Sequence, residues 1–203
     1  MSPRITLVDP AHMEGRQREI YESIINGPRG RLVGPLRAVL LVPELAERWS
    51  RFGEFLRFST SLPPRLKELA IIVTARHWNS QLEWQIHAQA AASAGVPETV
   101  IAAIRVGETP DFDEQTDGEV YEFARQLLEL GDVASGLHAR VTGRWGEVGV
   151  VELTAVIGYY AMVSLMLNAQ AIPTPDGEMP LSPTGATPGR TTLPAWNFEE
   201  VTQ

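Results

Sequence analysis

The sequence predicts an all-α protein. Apolar residues recur at three- and four-residue spacing through most of residues 14–170. Alternating apolar–polar runs of the strand type are almost absent. Clusters of Gly, Pro and Asn fall between the periodic segments, where turns belong.

Taken in order, residues 1–9 read as an extended arm, and Pro10 opens a polar helix. Residues 14–25 then place Ile20, Tyr21, Ile24 and Ile25 at helical spacing. Asn26-Gly-Pro-Arg-Gly-Arg is a loop. Gly34-Pro35 leads into a short helix over 36–41, which stops before Pro43. Residues 44–58 form an amphipathic helix with Leu45, Trp49, Phe52, Phe55 and Leu56 on one stripe.

Ser61-Leu-Pro-Pro is a helix start with proline in the first turn. The helix it opens, over 65–78, holds Leu66, Leu69, Ile71, Ile72 and Val73, so little of it faces water. After a polar break at Asn79-Ser80, an alanine-rich helix runs to Ala94, with Gly95 just past its end. Val96-Pro97-Glu98 restarts a short helix to about Val106. A loop over 107–112 precedes an acidic-started helix over 113–130, followed by helices over 135–145 and 147–170. Glu68 and Glu152 each head an apolar helix, an internal echo that suggests two related helical halves, of which the first keeps the full polar set.

From Ile172 the pattern ends. Six prolines between 173 and 194 rule out helix and strand. The chain therefore divides into a helical domain over 1–171 and an irregular tail over 172–203. Trp196 and Phe198 near the end of the tail suit docking on the body or on another subunit.

Composition narrows the function classes. The 203 residues carry a net charge of −8, which argues against nucleic acid or an anionic membrane as partner, since both need a basic face. Cysteine is absent, which removes disulfides, thiolate metal sites, Fe–S clusters and thiol-based peroxidase chemistry. The first residues show no apolar targeting segment, so a cytoplasmic location is expected. The longest apolar run, 148–167, is interrupted by Glu152, Gly158 and two tyrosines; it reads as a buried helix rather than a membrane span.

The chemistry concentrates in residues 68–87. Glu68 stands alone among Ile71, Ile72 and Ala75 on an apolar helix face. A carboxylate there either pairs with Arg65, Arg76 or another helix, or serves as an acid/base. Glu83 and His87, four apart, stack on one face of the next helix; such pairs occur on many helix surfaces, yet against apolar packing they pass protons near neutral pH. Ser80, Trp84 and His77 are candidates to line the same cleft, and the Tyr159-Tyr160 pair offers a phenol from the last helix. His12 and His138 stand isolated. No His, Asp and Glu spacing suits a metal, and no Gly-rich loop follows a strand to cradle phosphate, so no cofactor is expected. Arg57, Arg65 and Arg76 are the arginines placed to meet a substrate carboxylate.

These motifs resemble the carboxymuconolactone decarboxylase and alkylhydroperoxidase D-like superfamily over roughly residues 35–173. Three stretches carry the likeness: Glu68-Leu-Ala-Ile-Ile; Glu83-Trp84-x-x-His87-x-x-x-Ala91 with Ala94-Gly95-Val96; and Glu152-Leu-Thr-Ala-Val-Ile-Gly-Tyr-Tyr with Leu167-Asn-Ala. The peroxidase branch is similar in setting its Glu and His nineteen positions apart, as Glu68 and His87 are here, but its two cysteines fall on Ser80 and Glu83. What remains resembles the cysteine-free, decarboxylase-like branch.

The resemblance implies an all-helical bundle, a homo-oligomer (trimer or hexamer) with sites near subunit contacts, and a small-molecule substrate. The implied reaction is loss of CO₂ from a small unsaturated lactone or carboxylated ring compound without a cofactor, with Glu68, Glu83 and His87 as catalytic residues. In that reading His87 donates the proton or hydrogen-bonds the dienolate, Glu83 sets its charge, and Glu68 orients it or acts as a second acid/base. Isomerase, hydrolase or eliminase chemistry on the same trio, or a non-catalytic oligomeric binding protein, stay open alongside it.

Overall fold

The computed structural model describes residues 2–32, 34–182 and 189–197. Among them lie eight α-helices and no strand: α1 (Gly15–Asn26), α2 (Leu36–Val39), α3 (Pro43–Phe58), α4 (Pro64–His77), α5 (Gln81–Ser93), α6 (Glu98–Val106), α7 (Gln115–Leu130) and α8 (Ser135–Ala169). The all-helical expectation holds, and most boundaries move by a residue or two. The exception is Pro10, which opens a separate 3₁₀ turn, Pro10–His12, capped by the Asp9 carboxylate accepting from the Ala11 amide at 3.0 Å.

Helix α4 is the axis of the fold, packed against α5, α6, α7 and α8. Its residues 69–77 are all buried, because two apolar clusters meet on it. Leu69, Ile72 and Val73 belong to a cluster built with α5, α6, α7 and α8 as far as Ile157. Ile71 belongs to another, with Ile20, Ile24, Leu36, Leu40, Trp49, Leu56 and the second half of α8. A helix wrapped on all sides has no use for an amphipathic stripe, which is why its sequence is apolar nearly all round.

Helix α8 is two segments joined at Gly146, whose φ of 68° and ψ of 179° leave the helical region. An L side chain is strained at such a φ, so glycine marks the break that the sequence places between residues 145 and 147. By length and composition α8 is apolar enough to cross a membrane; half of that apolar stretch is buried inside the protein, in keeping with the buried helix expected from the sequence. Glu152 does not repeat the role of Glu68. It accepts from the Ser61 amide at 2.8 Å and the Ser61 hydroxyl at 2.6 Å, tying down the α3–α4 loop.

The described part of the tail docks on its own body. Leu181 and Leu193 are buried in the cluster around α4. Gln81 grips Leu181 twice: its side-chain amide donates to the Leu181 carbonyl and its oxygen accepts from the Leu181 amide, both at 2.9 Å. The Thr191 amide donates to the His77 carbonyl at 2.7 Å, and the Trp196 amide to Glu122 at 3.1 Å. The Trp196 ring lies edge-on to Phe112, 5.7 Å between centroids, over Gly118 of α7. Phe198 lies outside the described residues.

Trp196→Ala removes this anchor. For a partly exposed ring we expect a loss of about 2 kcal/mol in unfolding free energy, read by denaturant titration.

Candidate active site

The α4–α5 hairpin builds the site. Its turn, Trp78-Asn79-Ser80, is tight: Asn79 takes a φ of 49°, a left-handed conformation that asparagine tolerates, and the Ser80 amide donates back to the Ala75 carbonyl at 2.9 Å. Helix α5 therefore returns alongside α4, and the nineteen-residue spacing becomes a contact. The Nδ1 of His87 lies 2.7 Å from Glu68 Oε2. One turn before His87 on α5, Glu83 puts Oε2 at 3.3 Å from the other ring nitrogen, Nε2.

Both carboxylates thus hold one imidazole, which is 2% exposed. Burial alone pushes the imidazole toward its neutral form. The hydrogen bonds and negative charges of Glu68 and Glu83 outweigh that, and hold the His87 pKa up at about 9. Near neutral pH the ring is an imidazolium donating from both nitrogens. The Tyr160 ring stands edge-on against it, 4.8 Å between centroids. Burial, followed by the charge of Glu83, keeps the Tyr160 phenol well above its ordinary range and neutral.

Beside this clamp opens a recess of about 30 Å³, lined by Glu83, Ile86 and His87 of α5, Tyr159, Tyr160 and Val163 of α8, Arg57 of α3, and residues of the α1–α2 connection that include Arg29 and Arg31. That volume holds about two waters. Glu68 is not on its wall and reaches the site only through His87.

Of the residues anticipated at the cleft, Glu83, His87 and Tyr159 line it, and Ser80, Trp84 and His77 do not. Trp84 follows Glu83 in sequence, but a helix turns about 100° per residue, so its ring enters the core around α4. His77, fully buried at the end of α4, meets Glu129 of α7 at 3.1 Å; burial lowers its pKa against the pull of Glu129. Ser80 is sealed beneath the turn. Among the arginines, Arg57 reaches the recess, Arg65 pairs with Asp117 at 2.6 Å, and Arg76 donates to the Ser182 carbonyl at 3.0 Å. Tyr160, read together with Tyr159 as a source of a phenol, lines the recess as well, whereas Arg29 and Arg31 went unnoticed in the sequence. The Arg-Gly-Arg of the loop after α1 was the one available signal.

With this geometry in place, comparison with known proteins gives the site its context. Residues 43–134, which contain Glu68, Glu83 and His87, match the carboxymuconolactone decarboxylase family. No curated protein matches the chain by sequence. Among solved structures, it is similar to an uncharacterized peroxidase-related protein from Ralstonia eutropha JMP134 with an alkylhydroperoxidase AhpD core, at 12% identity and a TM-score of 0.70, over 90% of this chain and 98% of that one. A peroxidase-related protein from Silicibacter sp. TM1040 gives 12% and 0.66 over 83% and 90%. The debrominase Bmp8 with 2,3,4-tribromopyrrole gives 13% and 0.66 over 84% and 91%. At these identities the likeness is one of fold. Residues 43–134 are thus similar to the carboxymuconolactone decarboxylase family, and the fold around them is AhpD-like.

Proposed function

We propose that the protein is a cofactor-independent acid/base enzyme of the carboxymuconolactone decarboxylase type, acting on a small unsaturated lactone or carboxylated ring compound. The observation that carries this reading is the imidazolium of His87 held between Glu68 and Glu83, with Glu83 alone of the two acids on the wall of the recess. Because both ring nitrogens are engaged, His87 acts through Glu83: the Nε2 proton passes to Glu83, and Glu83 delivers it to substrate. Glu68 positions the ring and balances its charge.

In the decarboxylation, the bond from ring carbon to carboxylate breaks and CO₂ leaves. The electron pair flows through the C=C into the lactone carbonyl, giving a dienolate. Glu83 protonates carbon, and the site regains its proton from water. The neutral Tyr160 phenol is the hydrogen-bond donor available to the dienolate oxygen. No thiol step enters, since the chain has no cysteine.

A second reading, a non-catalytic oligomeric binding protein of this fold, is favoured by the smallness of the recess, about 30 Å³. Screening unsaturated lactones and carboxylated ring compounds for CO₂ release or isomerisation separates the two. For the enzyme, Glu83→Gln and His87→Asn should each lower turnover at least a hundredfold with the fold intact by circular dichroism. Glu68→Gln, which keeps a polar partner but loses its charge, should cost roughly tenfold. Turnover that survives in Glu83→Gln removes the mechanism, and an inert wild type favours the binding protein.

The clamp also fixes a pH dependence. The folded pKa of His87, about 9, lies above its ordinary value of 6.5, so its contribution to stability is complete below about pH 6.5 and is lost as pH rises through 9. The unfolding free energy should fall by about 3 kcal/mol across that window. Denaturant titrations from pH 6 to 10 should show this fall in the wild type and not in His87→Asn.

Assembly of copies belongs to the same proposal. Phe52, Phe55 and Phe58 of α3 and Val148, Val151, Met162 and Leu165 of α8 are exposed apolar side chains, which supports a covered face in solution. Light scattering should return the mass of a trimer or hexamer.

A further inference from the structure

We infer that residues 189–197 form a latch on the α4–α5 turn that acid releases, with the buried His77 imidazole as its trigger. The latch is independent of the acid/base reading of His87, and neither needs the other.

The segment lies as an extended ligand in a groove between the end of α4 and α7. Its main chain is gripped at intervals. The Thr191 amide donates to the His77 carbonyl at 2.7 Å, and the Leu193 amide to Glu129 Oε1 at 3.3 Å. The Tyr121 hydroxyl donates to the Pro194 carbonyl at 2.9 Å, and the Trp196 amide to Glu122 Oε2 at 3.1 Å. Thr191 and Leu193 are buried and Thr192 between them is exposed, the alternation of an extended chain laid on a surface. The Thr191 hydroxyl donates to Asn79 Oδ1 at 2.8 Å, so the latch holds the turn itself. Gly118 of α7 leaves room for the Trp196 ring, which a Cβ there would overlap.

His77 sits under this contact, and its ring is hydrogen-bonded on one side only. Glu129 Oε1 lies 3.1 Å from Nδ1. A carboxylate oxygen accepts, so in the neutral ring Nδ1 carries the proton and Nε2 the lone pair. A proton taken up in acid therefore goes to Nε2. That nitrogen is shielded from solvent and has no hydrogen-bond partner among the described residues. Its new N–H would be buried without an acceptor, which is costly.

The docked tail raises that cost. Two charged groups face the ring, Glu129 from α7 and Arg190 from the tail itself. Arg190 sets a second cation against an imidazolium. Glu129 Oε1 is shared with the Leu193 amide, so it answers the ring's charge less fully than a free carboxylate. Around the same end of α4, α5 is preceded by uncharged Ser80, and α8 presents Asn168, which donates to the Trp78 carbonyl at 2.6 Å. Helix α6 joins the adjoining core through Val100 and Ile104. Arg76, the neighbour of His77 on α4, donates to the Ser182 carbonyl.

Burial and Arg190 hold the docked His77 below its ordinary value of 6.5 despite Glu129. Undocking gives Nε2 water and takes Arg190 away, which returns the ring toward 6.5. Docking is therefore at full strength above about pH 6.5 and weakens as pH falls below it. One linked proton weakens it by up to about tenfold per pH unit. The His87 clamp loosens at the opposite, alkaline end of the scale.

The chain has no cysteine, so Ala195→Cys on the exposed edge of the tail gives a single attachment point for a pH-insensitive fluorophore. Its anisotropy reads docking in the full-length protein. Between pH 7.5 and 5 the tail should pass from held to free while circular dichroism keeps the helices. His77→Asn, which keeps a donor for Glu129 and does not titrate, should stay docked throughout. Arg190→Gln, at an exposed position, should make docking at pH 5 about threefold stronger, and it decides the matter if His77→Asn does not fold. Unchanged anisotropy over this range, an equal response in His77→Asn or Arg190→Gln, or helix lost at the same midpoint overturns the latch. Release confined below about pH 4, where carboxylates such as Glu122 and Glu129 titrate, overturns it as well.

Discussion

A charged imidazole ring inside an apolar protein exists only if its charge is answered on the spot. Taking an isolated ion out of water costs far more than a domain's whole stability margin, and His87 meets that constraint with a carboxylate at each nitrogen. Everything near it follows. Helix α4 must carry Glu68 on a face that is otherwise aliphatic, α5 must return at the correct distance, and the Asn79 turn must be short. The two apolar clusters on either side of α4 then fix that distance by packing, which leaves the clamp little room to relax.

The same constraint decides which group meets a ligand. A ring with both nitrogens occupied has no free proton to offer directly. In the proposed mechanism the proton therefore reaches substrate through Glu83, the carboxylate that stands on the recess wall. A sequence reading makes His87 the natural donor because it is the one side chain whose ordinary pKa lies near neutrality. The proposed mechanism moves that role one contact outward, to Glu83.

Much of the fold was legible in the sequence, for a plain reason: the period of an α-helix is written in the chain itself, and Pro43, Pro64 and Gly146 mark starts and breaks that depend only on backbone sterics. Glu68, Glu83 and His87 were legible too, because a single hairpin relates them. What was missed depends on partners far along the chain. Trp84 and His77 sit beside the site in sequence, yet helical rotation and the approach of α7 turn them into the core. Arg29 and Arg31 sit in an irregular loop, where a polar residue has no period to betray it, and only the arrival of α3 and α8 shows what they line.

The tail's grip on the α4–α5 turn has a consequence for the order in which this chain acquires structure. The hairpin is a local contact, and its two helices are able to meet as soon as residues 64–93 exist. Yet Gln81 and His77 wait for Leu181 and Thr191, about a hundred residues later. During synthesis from the N-terminus the hairpin spends that interval with its outer side uncovered. Residues 181–196 close it, so the hairpin that carries the proposed site is covered only after about a hundred further residues have been made.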